Sequence, residues 1–210
     1  MDQYPRVNFR IDKPFDELTP EEAKINFKWF LDVIPERVST LRNVVHETHP
    51  KWEADYSRAS LRVLSKWVKA NVSMRKVTEQ ENEELIKQRS MTDFQANFMR
   101  ERNEKLSYGS ERIRFDVGIY LGEMLRKNVQ NLEWQYEKRK QMASKGSPVL
   151  GLTKDASIKY HPMEVLQISK VVAAKLAKDE IKEVEEAYIR VYDIWFKKRL
   201  KSLWQEKYGY

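Results

Sequence analysis

The sequence predicts an all-α, or nearly all-α, single-domain bundle of about seven helices. Three observations point there. Apolar residues recur at three- and four-residue spacing along most of the chain, the period of a helix with one buried face. Thr-Pro-Glu-Glu at 19–22 and similar cap signals mark where such segments begin. Hydrophobic residues make up 41% and charged residues 34% of 210 positions, enough apolar material for a core and too much for a disordered chain.

Residues 1–18 alternate Pro, charge and aromatic side chains (Tyr4, Phe9, Phe15) without a helical period, so they predict an extended arm whose rings dock on the body. Thr19 caps the first helix, with Pro20 in its first turn, Glu22 closing a capping box, and Ala23, Phe27, Phe30 and Leu31 facing inward. Pro35 is expected to break it and open a second helix carrying Val38, Leu41 and Val45, which ends at His49-Pro50. A third runs from about Trp52 into the low 70s on Tyr56, Leu61, Leu64 and Val68, widened by Val63 and Trp67. The pattern weakens over 71–77. Thr78 then starts a short acidic helix, and Thr92 caps another with Phe94, Phe98 and Leu106 turned inward.

Tyr108-Gly109-Ser110 reads as a break before the most apolar helix, about 110–128, which belongs at the centre of the bundle. Over 129–160 the helical signal fades. Short strands at 132–136 and 157–160 are the expectation, with loops at Lys145-Gly146-Ser147-Pro148 and Gly151. His161-Pro162 opens a helix carrying Val165, Ile168, Val172 and Leu176. Asp179 caps the last one, lined by Ile181, Val184, Tyr188, Tyr192, Trp195, Leu200 and Leu203.

Composition narrows function by exclusion. Without cysteine there is no disulfide, thiol nucleophile or Cys-based zinc site. No apolar run approaches the about 18 residues of a membrane span, and the start lacks the apolar core of a signal peptide, so the expected setting is cytoplasmic. The net charge of +7 is dispersed; its densest clusters are Lys138-Arg139-Lys140 and Lys197-Lys198-Arg199 with Lys201. These read as solvated faces before a nucleic-acid stripe. A helix-turn-helix at 60–89 is disfavoured because its second helix would bring Glu79, Glu81, Glu83 and Glu84 towards phosphates. His46 and His49 lack a third ligand, and no phosphate-binding glycine loop or nucleophile elbow occurs, so neither metal nor cofactor is expected.

The most unusual stretch is Phe115-Asp116-Val117-Gly118-Ile119-Tyr120-Leu121-Gly122-Glu123. On a helix Asp116, Tyr120 and Glu123 fall at i, i+4 and i+7, one face. Gly118 and Gly122 share another, each costing about 1 kcal/mol relative to Ala unless close packing offsets it. Two carboxylates in an apolar helix must be paired, hydrogen-bonded or protonated. Internal pairing, with Arg37, Arg112 or Arg114, is the first expectation; an acid/base pair, a hard-metal site or an acidic notch for a partner's cation is the functional alternative.

The Asp-x-Gly-x-Tyr-Leu-Gly-Glu pattern at 116–123 resembles a signature of a group of small, poorly characterised bacterial helical proteins. The likeness extends to Trp29-Phe30, Ile34 and Arg37, and to Trp134, Pro148-Val149-Leu150, Tyr192 and Trp195. Some members are associated with toxin–immunity neighbourhoods. The resemblance implies a mostly helical domain and a toxin-neutralising role, and it supplies no catalytic residues.

The function expected from sequence is therefore a non-enzymatic protein-binding module with a protein partner, of the immunity type. Its candidate binding residues are Asp116, Tyr120, Glu123 and Arg37, joined by Trp204 and Tyr208 on the basic, amphipathic terminal helix. The alternatives are an enzyme or ligand binder using Asp116 and Glu123, and a nucleic-acid binder using the two basic clusters.

Overall fold

The computed structural model describes residues 4–11, 13–101, 103–139, 144–153 and 162–208, with side chains to residue 197. It is predominantly helical: seven α-helices and two small two-stranded antiparallel sheets among the described residues. Helix α1 spans Pro20–His46, α2 Arg58–Asn71, α3 Glu79–Gln88, α4 Asp93–Glu101, α5 Tyr108–Asn128, α6 Val165–Ala177 and α7 Ala187–Tyr208.

The expected break at Pro35 does not occur; α1 runs through it for 27 residues. Proline removes the hydrogen bond to the Leu31 carbonyl, but Leu31 and Pro35 both lie on the exposed side, where solvent can take its place. On the other side Ala23, Asn26, Phe30, Ile34, Arg37, Leu41 and Val45 form an unbroken buried stripe. Burial at about 1.5–3 kcal/mol per large apolar side chain outweighs the proline penalty of about 3 kcal/mol. Leu31, expected inside, is exposed for the same geometric reason. The Thr19 cap is as expected: its hydroxyl accepts from Glu22 N–H at 3.2 Å, and the Glu22 carboxylate accepts from Thr19 N–H at 2.9 Å.

Between α2 and α5 a two-stranded ribbon, β1 (Met74–Lys76) paired with β2 (Glu104–Leu106), carries α3 and α4. Three-residue strands are too short to leave a period in the sequence. Leu106 is buried as expected, but Phe94 and Phe98 are 83% and 66% exposed. The nine-residue α4 buries Ala96 and turns both rings outward. The expected break at Gly109 is also absent: Ser107 caps α5, and Gly109 lies buried inside its first turn.

Strand β3 (Leu132–Tyr136) is where the sequence places it. Its partner is β4 (Pro148–Leu152), with Trp134 opposite Leu150; the expected strand at 157–160 lies outside the described residues, as does His161. Asp179 does not cap the last helix. It adopts φ 59° and ends α6, its N–H donating to the Leu176 carbonyl at 3.2 Å while Glu180 N–H donates to Lys175 at 3.0 Å. A 3₁₀ turn (Val184–Glu186) then precedes α7.

Helix α5 is the hub. Fourteen of its 21 residues are buried, and it packs against α1, α6, α7 and β3. Gly118 abuts Leu166 and Ser169 of α6, where an added methyl would lie 3.2 Å from the Leu166 backbone. At Gly122 an added methyl would overlap the Trp134 indole. We therefore expect Gly122→Ala to destabilise the protein by about 1–3 kcal/mol despite its better helix propensity. Gly118→Ala, whose methyl meets its neighbours at 3.0 Å or more instead of overlapping them, should cost less. Thermal denaturation of the two variants checks the order.

Candidate functional site

Burial governs the chemistry of the 116–123 segment. Asp116 has no exposed surface. Arg37, itself 3% exposed, grips it with two hydrogen bonds: Nε donates to Oδ1 at 2.8 Å and Nη2 to Oδ2 at 2.7 Å. Tyr4 from the N-terminal arm donates its hydroxyl to Oδ2 at 2.7 Å. The same Arg37 guanidinium donates to the carbonyls of Arg6 (3.1 Å) and Pro5 (3.4 Å), and Arg112 donates to the Tyr4 carbonyl at 3.0 Å. One buried ion pair thus fastens the arm, α1 and α5 together.

Burial pushes the Asp116 carboxyl above its ordinary value, against the downward pull of Arg37 and Tyr4. Burial also works against the Arg37 charge, but the Asp116 bonds more than offset it and hold the guanidinium above its usual range. Tyr4 is pushed up by burial and by the neighbouring carboxylate.

Glu123 has a different set of partners. Arg126, one helical turn on, donates to it at 3.0 and 2.9 Å, and the Trp134 indole N–H donates at 2.8 Å. Gly122 makes this last contact possible, because the bare backbone lets the indole lie against the helix. The Tyr120 hydroxyl sits between Ser60 Oγ (2.7 Å) and the Tyr56 N–H, which donates to it at 2.9 Å. Its ring stacks on Tyr56 at 5.0 Å. Tyr56 has φ 60°, a conformation that a bulky side chain rarely adopts, and the Tyr120 hydrogen bond and stacking help hold it there. Burial pushes Tyr120 up to about 12, opposed by its hydrogen bonds to Ser60 and Tyr56.

Asp116, Tyr120, Glu123 and Arg37 are therefore all buried and served by internal partners. None of them lines the five principal surface depressions. The i, i+4, i+7 spacing placed the three on one helix face, but the surrounding elements divide that face into separate polar clusters. Trp204 and Tyr208 lie on the α7 backbone, with side chains outside those described. Tyr4 and Trp134 were not among the expected site residues, since no local spacing links them to Asp116 or Glu123. Arg126 stands three residues after Glu123, a spacing that the sequence itself displays. Among the described residues no three metal-ligating side chains stand together: His46 is hydrogen-bonded to the Trp52 carbonyl and His49 to Thr48. Arg139 of the first basic cluster is spent on Glu137 at 2.7 Å.

What the described surface offers instead is the α3–α4 hairpin. Phe94 and Phe98, four residues apart, project from a segment that also exposes Glu79, Glu84, Asp93 and Glu101. Beside Phe98 lies a groove of about 580 Å³ whose apolar lining comes from Met74, Val171 and Ala174. Compared with family models, curated proteins and solved structures, the chain matches none.

Two outcomes follow from the buried clusters. Arg37→Met leaves Asp116 buried without its cation, so it should cost about 3–5 kcal/mol in urea unfolding, and the double variant Arg37→Met/Asp116→Leu should cost clearly less than the sum of the singles. Second, Tyr4, Tyr120 and Tyr188 are all raised above the ordinary tyrosine value of about 10. The folded state then holds protons that the unfolded state releases, so their contribution is intact below about pH 10 and, for Tyr120, is lost as pH rises towards about 12. Phenolate absorbance should show these three ionising together with alkaline unfolding, after the exposed tyrosines.

Proposed function

We propose that the protein is a non-enzymatic binding module that engages a protein partner through the α3–α4 hairpin. The observation that carries this reading is the pair of exposed phenylalanines, Phe94 and Phe98, the second of them beside a groove of mixed apolar and charged lining, on a part of the surface that nothing else in the chain covers among the described residues. Exposed aromatic anchors rimmed by charge have the composition of protein-interface hot spots. The hairpin is acidic within a chain of net charge +7, so the matching partner presents basic and apolar side chains together. The resemblance at 116–123 supports the immunity-type form of the reading, in which that partner is a toxin. It also supports a bundle in which the signature serves as framework. Against the enzyme alternative stands the burial of Asp116 and Glu123 beneath arginines.

Affinity capture from the native host with the tagged full chain tests this. The expected result is one stoichiometric partner, lost with Phe94→Ser/Phe98→Ser. That variant should melt at the wild-type temperature because both rings are already in solvent. Hydrogen exchange should show the partner protecting α3 and α4. In the immunity form, the partner alone arrests growth and co-expression restores it. Capture of nothing, or of a partner that the double variant holds equally well, would refute the reading.

A further inference from the structure

A second surface feature is basic where the hairpin is acidic. The arm that Arg37 fastens down passes beside the first turns of α5, and together they enclose a depression of about 330 Å³. Arg6 and Phe9 come from the arm; Tyr108, Arg112 and Arg114 come from the helix. Three arginines therefore line one small space; two of them also hold the fold together, Arg112 donating to the Tyr4 carbonyl at 3.0 Å and Arg114 to the Leu166 carbonyl at 3.3 Å. The acid among its lining residues, Glu111, is already neutralised twice, by Arg114 at 2.7 Å and Lys170 at 3.2 Å. Burial would raise its carboxyl, but those two cations hold it below its ordinary value. The first turn of α5 adds the positive end of a helix dipole to the same wall.

The apolar part of the depression is aromatic. Phe115 is buried beneath it and meets Phe9 edge-on at 5.5 Å, while Phe9 and Tyr108 remain 37% and 59% exposed. The Arg75 guanidinium lies over the Tyr108 ring at 4.6 Å and donates to its hydroxyl at 3.2 Å, which fixes that ring in place. Arg6 is exposed, and its position follows from the bond between its carbonyl and Arg37. Guanidinium groups match phosphate oxygens in charge and in planar, bidentate geometry, and exposed rings offer stacking faces to a planar base. The volume is at the lower end of ligand pockets, suited to one small molecule.

We propose that this depression binds a nucleoside monophosphate, its phosphate held by Arg6, Arg112 and Arg114 and its base against Phe9 and Tyr108. The buried Asp116–Arg37–Tyr4 cluster is then the device that positions the arm half of the site. A free nucleotide and the phosphorylated end of an RNA strand share this chemistry, and the experiment separates them.

Isothermal titration of the full chain at low ionic strength uses adenosine monophosphate, adenosine, inorganic phosphate and a 5′-phosphorylated oligoribonucleotide. Saturable one-site binding of the monophosphate is expected, with adenosine and phosphate each at least about tenfold weaker because each lacks one half of the recognised group. Arg6→Ser and Tyr108→Ala should each weaken the monophosphate about fivefold to tenfold; Arg6→Ser should leave the melting temperature near wild type, since its side chain is exposed, whereas Tyr108→Ala also removes the contacts with Arg75. An oligonucleotide bound as tightly, and equally sensitive to Arg6→Ser, identifies strand ends as the source; its exclusion identifies the free nucleotide. No saturable binding, phosphate binding as tightly as the monophosphate, or binding that neither variant weakens would overturn the proposal.

Discussion

A charge that cannot be left alone organises this molecule. Asp116 lies in the central helix α5 with no exposed surface, where an isolated carboxylate would be far too costly to keep ionised. Arg37 must therefore reach it from α1, and Arg37 has its own buried donors to satisfy. Those donors take the carbonyls of Pro5 and Arg6 and so pull the N-terminal arm onto the body. Tyr4 completes the set from the same arm. The requirement to satisfy one carboxylate thus propagates through hydrogen bonds into the placement of three separate segments. It also brings Phe9 alongside Trp29 and Phe115, where the arm adds its own apolar contacts.

The two glycines of α5 belong to the same logic. Each gives up helix propensity so that a neighbour can come close: α6 at Gly118 and the Trp134 indole at Gly122. At Gly122 the close approach also delivers an indole N–H to Glu123, so packing and polar satisfaction are met by one side chain. A segment that reads as an active site on a helical wheel is in this way consumed as framework. Paired buried carboxylates, glycines and a tyrosine are shared by catalytic sites and by tightly packed helix junctions, and only the partners tell them apart.

With the central polar groups internally matched, two surface areas of opposite character stand out. The α3–α4 hairpin is acidic and exposes phenylalanines; the junction of arm and α5 is basic and exposes aromatic edges. The +7 of the whole chain conceals this contrast, because many charges are spent in ion pairs such as Arg75–Glu81 and Arg58–Asp193. Charge informs on partners only after these pairs have been set aside.

Much of the helical framework was legible in the sequence, and so was the pairing of Asp116 with Arg37 as the first of its options. Caps at Thr19 and Thr78, the stripes of α1, α2 and α5, and strand β3 are local: their signals are read within one or two turns of chain. What the sequence left undecided depended on contacts distant along the chain. Pro35 reads locally as a helix break, yet buried residues on both sides of it carry α1 through. Phe94 and Phe98 read as core, yet no element packs over them among the described residues. Tyr4 lies 112 residues from Asp116, and no periodicity joins them. The sequence by itself determined which segments are helices and which faces are apolar, because those follow from neighbouring residues. Only the tertiary structure decided which apolar faces are covered and which cation meets which carboxylate, because burial and pairing belong to the packed whole.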